Sequence, residues 1–97
     1  MTEATANPSD SRKDSLIEYP SLFPIKVMGI NEDGFVNAVT TIARQMDPTF
    51  DASTIELRPS SSAKYMGVTI TVTATSREQL DSIYMALTGH PLVKVVL

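Results

Sequence analysis

Tyr65-Met-Gly-Val-Thr-Ile-Thr-Val-Thr-Ala74 alternates apolar residues with glycine and threonine along its whole length. Successive side chains of a strand point to opposite faces, so Met66, Val68, Ile70, Val72 and Ala74 line one face and Gly67, Thr69, Thr71 and Thr73 the other. One apolar face and one hydroxyl-rich face mark an antiparallel strand covered on a single side. Strands of parallel sheets are buried on both faces and read as continuous apolar runs.

Upstream, Phe23, Ile25 and Val27 alternate with Pro24, Lys26 and Met28, which predicts a first strand over 23–28 with its core face at Ile25 and Val27, broken by Gly29 and Asn31. Phe35, Val39, Ile42, Ala43 and Met46 then recur as one helical stripe, with Asn31 or Asp33 as the expected cap and Pro48 as the limit. Thr54 to Leu57 reads as a short, charged edge strand, with Ile55 and Leu57 on one face and Glu56 and Arg58 on the other. Residues 59–64 form a polar connection, expected to be mobile, that is too long for a two-residue turn. Downstream, Ser76 and Gln79 match a capping box, and Leu80, Ile83, Tyr84 and Leu87 form a second stripe. Gly89 is expected to stop that helix in a left-handed conformation, and Leu92 to Leu97 reads as a fourth strand.

The order is β-α-β-β-α-β, the split βαβ arrangement of ferredoxin-like α+β domains. Right-handed crossovers place both helices on one face of a four-stranded antiparallel sheet of order 4-1-3-2. The opposite face is expected to show Lys26, Met28, Thr69, Thr71, Thr73, Lys94 and Val96. Pairing through that face or an edge strand would add burial to a small core. Residues 1–14 hold only small, polar and charged side chains after Met1 and read as a disordered tail, which leaves 15–97 as a single domain. The 15–20 segment is apolar enough to lean on the sheet.

Composition narrows the function. A net charge of −3 from 8 Lys plus Arg and 11 Asp plus Glu disfavours a dedicated phosphate-backbone binder. The absence of cysteine excludes disulfides, thiolate metal sites and cysteine nucleophiles, and suits a reducing cytoplasm. No signal or membrane-spanning pattern is visible, no metal-ligand spacing emerges, and no cofactor motif is present. The only histidine, His90, lies in a turn, and Ser61-Ser-Ala-Lys64 repeats the S-x-x-K spacing without the helix start and partner motifs that acyl transfer needs. No catalytic residue is assigned.

Two stretches are candidates for binding. In the turn Gly29-Ile-Asn-Glu-Asp-Gly34, backbone amides at a helix start meet carboxylates that repel anions; Gly29, Asn31, Asp33 and Gly34 would therefore suit an amine-bearing ligand such as an amino acid. The hydroxyl-rich connection, with Ser60, Ser61, Lys64 and Tyr65, lies where a partner or ligand could be met.

Tyr19-Pro20 followed by Phe23, Lys26-Val-Met-Gly29, Pro59-Ser-Ser61, and Tyr65 with its Val-Thr-Ile run resemble the YbeD-like family of small bacterial proteins over roughly residues 15–97. The resemblance implies a ferredoxin-like fold similar to the ACT regulatory domains of metabolic enzymes, in a cytosolic protein with no assigned activity. The family loop tends to carry glycine where this chain has Ala63. The leading expectation is a non-catalytic regulatory or adaptor module that binds a small metabolite or a partner protein as a homodimer. The alternative is an RNA-binding module using the open sheet face, although the strand positions that would stack bases are threonines. An acylphosphatase-like enzyme would need an arginine cradle where Glu32 and Asp33 stand.

Overall fold

The computed structural model describes residues 18–97; the expected tail over 1–14 and the stretch 15–17 lie outside the described residues. The sheet is built on β1 (Ser21–Ile30) and β3 (Tyr65–Ala74), which pair antiparallel from Ser21 opposite Ala74 to Ile30 opposite Tyr65. β2 (Glu56–Pro59) lines the outer edge of β3 and β4 (Val93–Val96) the outer edge of β1, which gives the order β2-β3-β1-β4. This is the expected 4-1-3-2 arrangement. The helices α1 (Phe35–Met46) and α2 (Arg77–Thr88) cover one face, where Ile25, Val27, Val68, Ile70 and Val72 meet Phe35, Val39, Ala43, Leu80, Ile83 and Leu87. The fold is the ferredoxin-like sandwich that the alternation implied.

Strand β1 is longer at both ends than the predicted 23–28. Pro24 sits within it at no cost to the ladder. The amide of Lys26, two residues on, donates outward to the Leu97 carbonyl, so the missing Pro24 amide faces the same edge beyond the end of β4. Gly29 does not break the strand. A Cβ there would run into the Leu92 carbonyl and the Phe35 ring, so glycine is what lets that ring, among the largest fully buried side chains, close over the end of β1. The cap of α1 also differs from expectation. Neither Asn31 nor Asp33 caps it; Gly34 does, at φ 89° and without a side-chain bond, because the chain must turn left-handed to leave the strand.

The second strand begins two residues later than Thr54. Asp51 accepts from the Ser53 amide and hydroxyl, and this winds Ala52–Thr54 into a 3₁₀ turn. The same bonds hold the Asp51 carboxyl below its ordinary pKa. In β4 the pairing shifts between Met28 opposite Val95 and Gly29 opposite Val93, so Lys94 is an extra residue. That bulge reverses the phase of the strand. Val96 joins the helix side opposite Val27, and Val95 takes the open face opposite Met28, the reverse of the expected placement of Val96. Helix α2 ends on Gly89 in a right-handed conformation (φ −80°), not the left-handed stop expected. The His90 amide continues to the Leu87 carbonyl, and Pro91 then ends the amide series, so no reversal is needed.

One polar corner ties the layers together. Asp47, just past α1, is only 3% exposed. Its Oδ1 accepts from the Thr49 amide (3.0 Å) and hydroxyl (2.6 Å), and its Oδ2 accepts from the Thr73 amide (2.7 Å). Thr73 lies on β3 beyond the reach of the short β2, so Asp47 replaces the strand that is missing there. Gln79 completes the corner. Its Nε2 donates to the carbonyls of Met46 and Thr73, its Oε1 accepts from the Thr75 amide, and its own amide donates to Ser76 Oγ. The Ser76–Gln79 box thus forms in part, with the Gln79 side chain drawn to β3 and α1.

Burial pushes the Asp47 pKa up, but the bonds from the Thr49 hydroxyl and the Thr73 and Thr49 amides outweigh it and leave the group below its ordinary value. A carboxylate whose folded pKa is depressed stabilises the fold above the unfolded value and loses that contribution as pH falls through the folded one. Asp47→Asn is expected to cost about 2–3 kcal/mol at neutral pH, because an amide sets an N–H against a donor. Denaturant titrations at a series of pH values should show the gap to wild type closing in acid; a gap that stays constant contradicts this role for the carboxylate.

Candidate functional site

The two candidate stretches meet. The Asn31 amide donates to the Lys64 carbonyl and the Asn31 side-chain Nδ2 to the Ala63 carbonyl, both at 2.9 Å, so the turn after β1 is clipped to the β2–β3 connection. Of the four turn residues expected to hold a ligand, the clip engages Asn31 alone. Ser60 closes the connection: its amide donates to the Tyr65 carbonyl, its carbonyl accepts from the Ala63 amide, and its hydroxyl accepts from the Tyr65 amide. Ser62 Oγ lies 3.4 Å from Ser60 Oγ and accepts from the Lys64 amide. Hydrogen bonds of Ser60, Ser62, Ala63 and Lys64 thus span most of the connection. Ala63 sits at its apex at φ 61°, a left-handed backbone that an alanine adopts only under strain. Asp33 and Gly34 stay exposed on the far side of the turn, and Gly29 is buried beneath Phe35.

His90 Nδ1 accepts from the Leu92 amide and shapes the turn into β4. Among the described residues no three His, Cys, Asp or Glu side chains gather where a metal ion could be held. No helix among them is long and apolar enough to cross a membrane. Burial raises the Tyr84 pKa, with its hydroxyl directed at the Leu97 carbonyl.

A concavity lies instead on the sheet face away from the helices. It is a groove of about 450 Å³ whose walls include Lys26, Met28, Glu56, Arg58, Val95 and Leu97. Strand register explains it. Residues opposite one another across a pair share a face, which sets Glu56, Thr69, Lys26 and Leu97 in one row and Arg58, Gly67, Met28 and Val95 in the next. Gly67 has no side chain, so the floor dips between Arg58 and Met28. The Met28 methyl comes within 4.0 Å of where a Cβ on Gly67 would stand. Met28, Val95 and Leu97 are exposed together beside the groove, and Leu22 and Tyr65 are exposed toward the two ends of the same face. Lys26, Glu56 and Arg58 form no ion pair among the described residues.

Of the residues singled out from sequence, Ser60 lines this groove and Tyr65 stands at the end of the same face; Ser61 and Lys64 lie in the exposed connection. Glu56, Arg58, Gly67, Val95 and Leu97 were not singled out as site residues. Their common signal is the face opposite the core, which becomes legible only once the register across all four strands is known.

Residues 14–97 match the family model described as "Protein of unknown function (DUF493)". The chain belongs to this family. A UPF0250 protein of Ralstonia nicotianae is 54% identical over 97 residues, spanning both chains completely. A UPF0250 protein of Leptothrix cholodnii is 58% identical over 86 residues, covering 89% of this chain and 94% of that one. The solution structure of protein HP0495 from H. pylori resembles the DUF493 chain at a TM-score of 0.73, over 97% of this chain and 98% of that one, with 20% sequence identity, a likeness of fold.

The strain at Ala63 is testable. A left-handed alanine costs about 1–2 kcal/mol, of which the greater freedom of an unfolded glycine returns roughly 0.5–1. Ala63→Gly should therefore raise Tm, by about 2–8 °C in a thermal melt. A lower Tm would contradict the left-handed turn.

Proposed function

We propose that this DUF493 chain is a non-catalytic regulatory or adaptor module that acts through its open sheet face. The observation that carries the reading is the groove, where Lys26, Glu56 and Arg58, without an ion-pair partner among the described residues, stand beside exposed Met28, Val95 and Leu97. Apolar surface rimmed by charges is what protein contacts use. The primary ligand in this reading is a partner protein chain in the bacterial cytosol, with homodimerisation part of the activity. A small metabolite such as an amino acid is the secondary ligand. The likeness to YbeD-like proteins and to ACT regulatory domains supports the same class by analogy of fold.

An RNA-binding reading draws less support. Base stacking on a sheet of this kind uses aromatic residues from the central strands. Thr69, Thr71 and Thr73 occupy those positions on β3, and Tyr65 stands only at the strand end.

A photo-crosslinking residue placed at Val95, on the face, and at Met85, exposed on α2, separates the surfaces in living cells. Crosslinked protein is expected from the Val95 position and not from Met85. Crosslinks from Met85 with none from Val95 would contradict the proposal.

A further inference from the structure

The open face has a relief that one particular occupant fits. On β1 its residues are Leu22, Pro24, Lys26, Met28 and Ile30, and opposite them on β3 stand Thr73, Thr71, Thr69, Gly67 and Tyr65. Except at the Tyr65 end, a strand of large side chains runs beside a strand of small ones. The face is a ridge next to a trough, at the centre of the sheet.

Such a surface is complementary to itself. A two-fold axis parallel to the strands and midway between β1 and β3 lays each ridge into the other copy's trough. Leu22 comes over Thr73 of the second copy, Pro24 over Thr71 and Lys26 over Thr69, while the second copy's Met28 meets the row of Gly67, where this chain's own Met28 methyl and Arg58 Cβ stand within 4.0 Å of the absent side chain; each contact occurs twice. The same operation brings β2 of one copy over β4 of the other, so Arg58 lies across Val95 and Glu56 across Leu97. Strands lie about 4.8 Å apart, which leaves Glu56 of the second copy one strand to the side of Lys26. Both groups lack an ion-pair partner among the described residues. The pairing supplies one in each direction. Face-to-face antiparallel sheets pack this way with strands nearly aligned, and the exposed Met28, Val95 and Leu97 are then covered.

We infer that the open face is an isologous dimer interface between two copies of this chain, with the β1 ridge of each seated in the β3 trough of the other and Lys26 paired with Glu56 across it. This deepens the proposed function by naming the partner, and it rests on that reading. The two central strands and the two short edges project to roughly 450 Å² per copy, near the low end of specific interfaces, so the dimer is concentration-dependent.

Sedimentation equilibrium of the purified chain over about 5–500 µM tests the pairing, since self-association follows mass action. Wild type should pass from monomer to dimer across that range. Thr71→Trp, which fills the trough, and Lys26→Glu or Glu56→Lys, which set like charges together, should each weaken association at least tenfold. The Lys26→Glu/Glu56→Lys double variant should recover most of it, because exchanging the two charges preserves the pair. Circular dichroism melts confirm that each variant is folded; the sites are on the uncovered face, and the Thr71 and charge variants are independent of one another. A monomer at every concentration overturns the inference, as does a dimer indifferent to all of these changes. If the chain is monomeric while Val95 still crosslinks a protein of different mass, the open face remains the working surface and only the identity of its occupant falls.

Discussion

Everything in this molecule depends on the antiparallel pairing of β1 with β3. Each strand contributes ten residues, and together they form the centre of the sheet. One side of the pair carries Ile25, Val27, Val68, Ile70 and Val72, all essentially without exposure, and the two helices exist to cover it. The side-chain period of a strand is two, so a register slip of one residue would send those side chains to the wet face and strip the helices of their floor. The edge strands are subordinate. β2 spans four residues, and where it stops Asp47 and the loop after α1 take over its hydrogen bonding to β3.

The parts of this design with a strong period were legible in the chain. Tyr65–Ala74 alternates without interruption, and the two helical stripes needed one floor between them, so topology, sheet order and the buried face followed from periodicity and crossover handedness. The features that escaped are those decided by a single residue in tertiary contact. Gly29 resembles a strand breaker until the Phe35 ring is seen to occupy the space of its absent side chain. Lys94 gives no sign of being a bulge, yet it exchanges the roles of Val95 and Val96. Asn31 and Asp33 have the chemistry of a helix cap, but the turn needs a left-handed residue at the helix start and glycine supplies it.

The candidate site was legible only in part for a related reason. Polar residues in a turn look available from sequence, whereas here Asn31, Ser60 and Ser62 satisfy backbone groups of their own two segments. The clip between those segments fixes the end of the central pair where Ile30 meets Tyr65. The surface left uncovered is the reverse of the core: threonines and glycine on β3, larger residues on β1, and charges from Lys26, Glu56 and Arg58 that have no ion-pair partner among the described residues. A face that had only to be wet would not need Met28, Val95 and Leu97 side by side. Their grouping around a groove is what supports the proposal that this face meets another chain.

We propose that the open sheet face is where this protein meets another chain. The most direct measurement is a dilution series of the isotopically labelled protein followed by amide chemical shifts, which reports each residue separately. Concentration-dependent shifts are expected at Lys26, Met28, Gly67, Thr69, Thr71 and Val95, with the exposed surfaces of α1 and α2 unchanged. Shifts confined to the helices would contradict it, as would a spectrum unaltered by dilution.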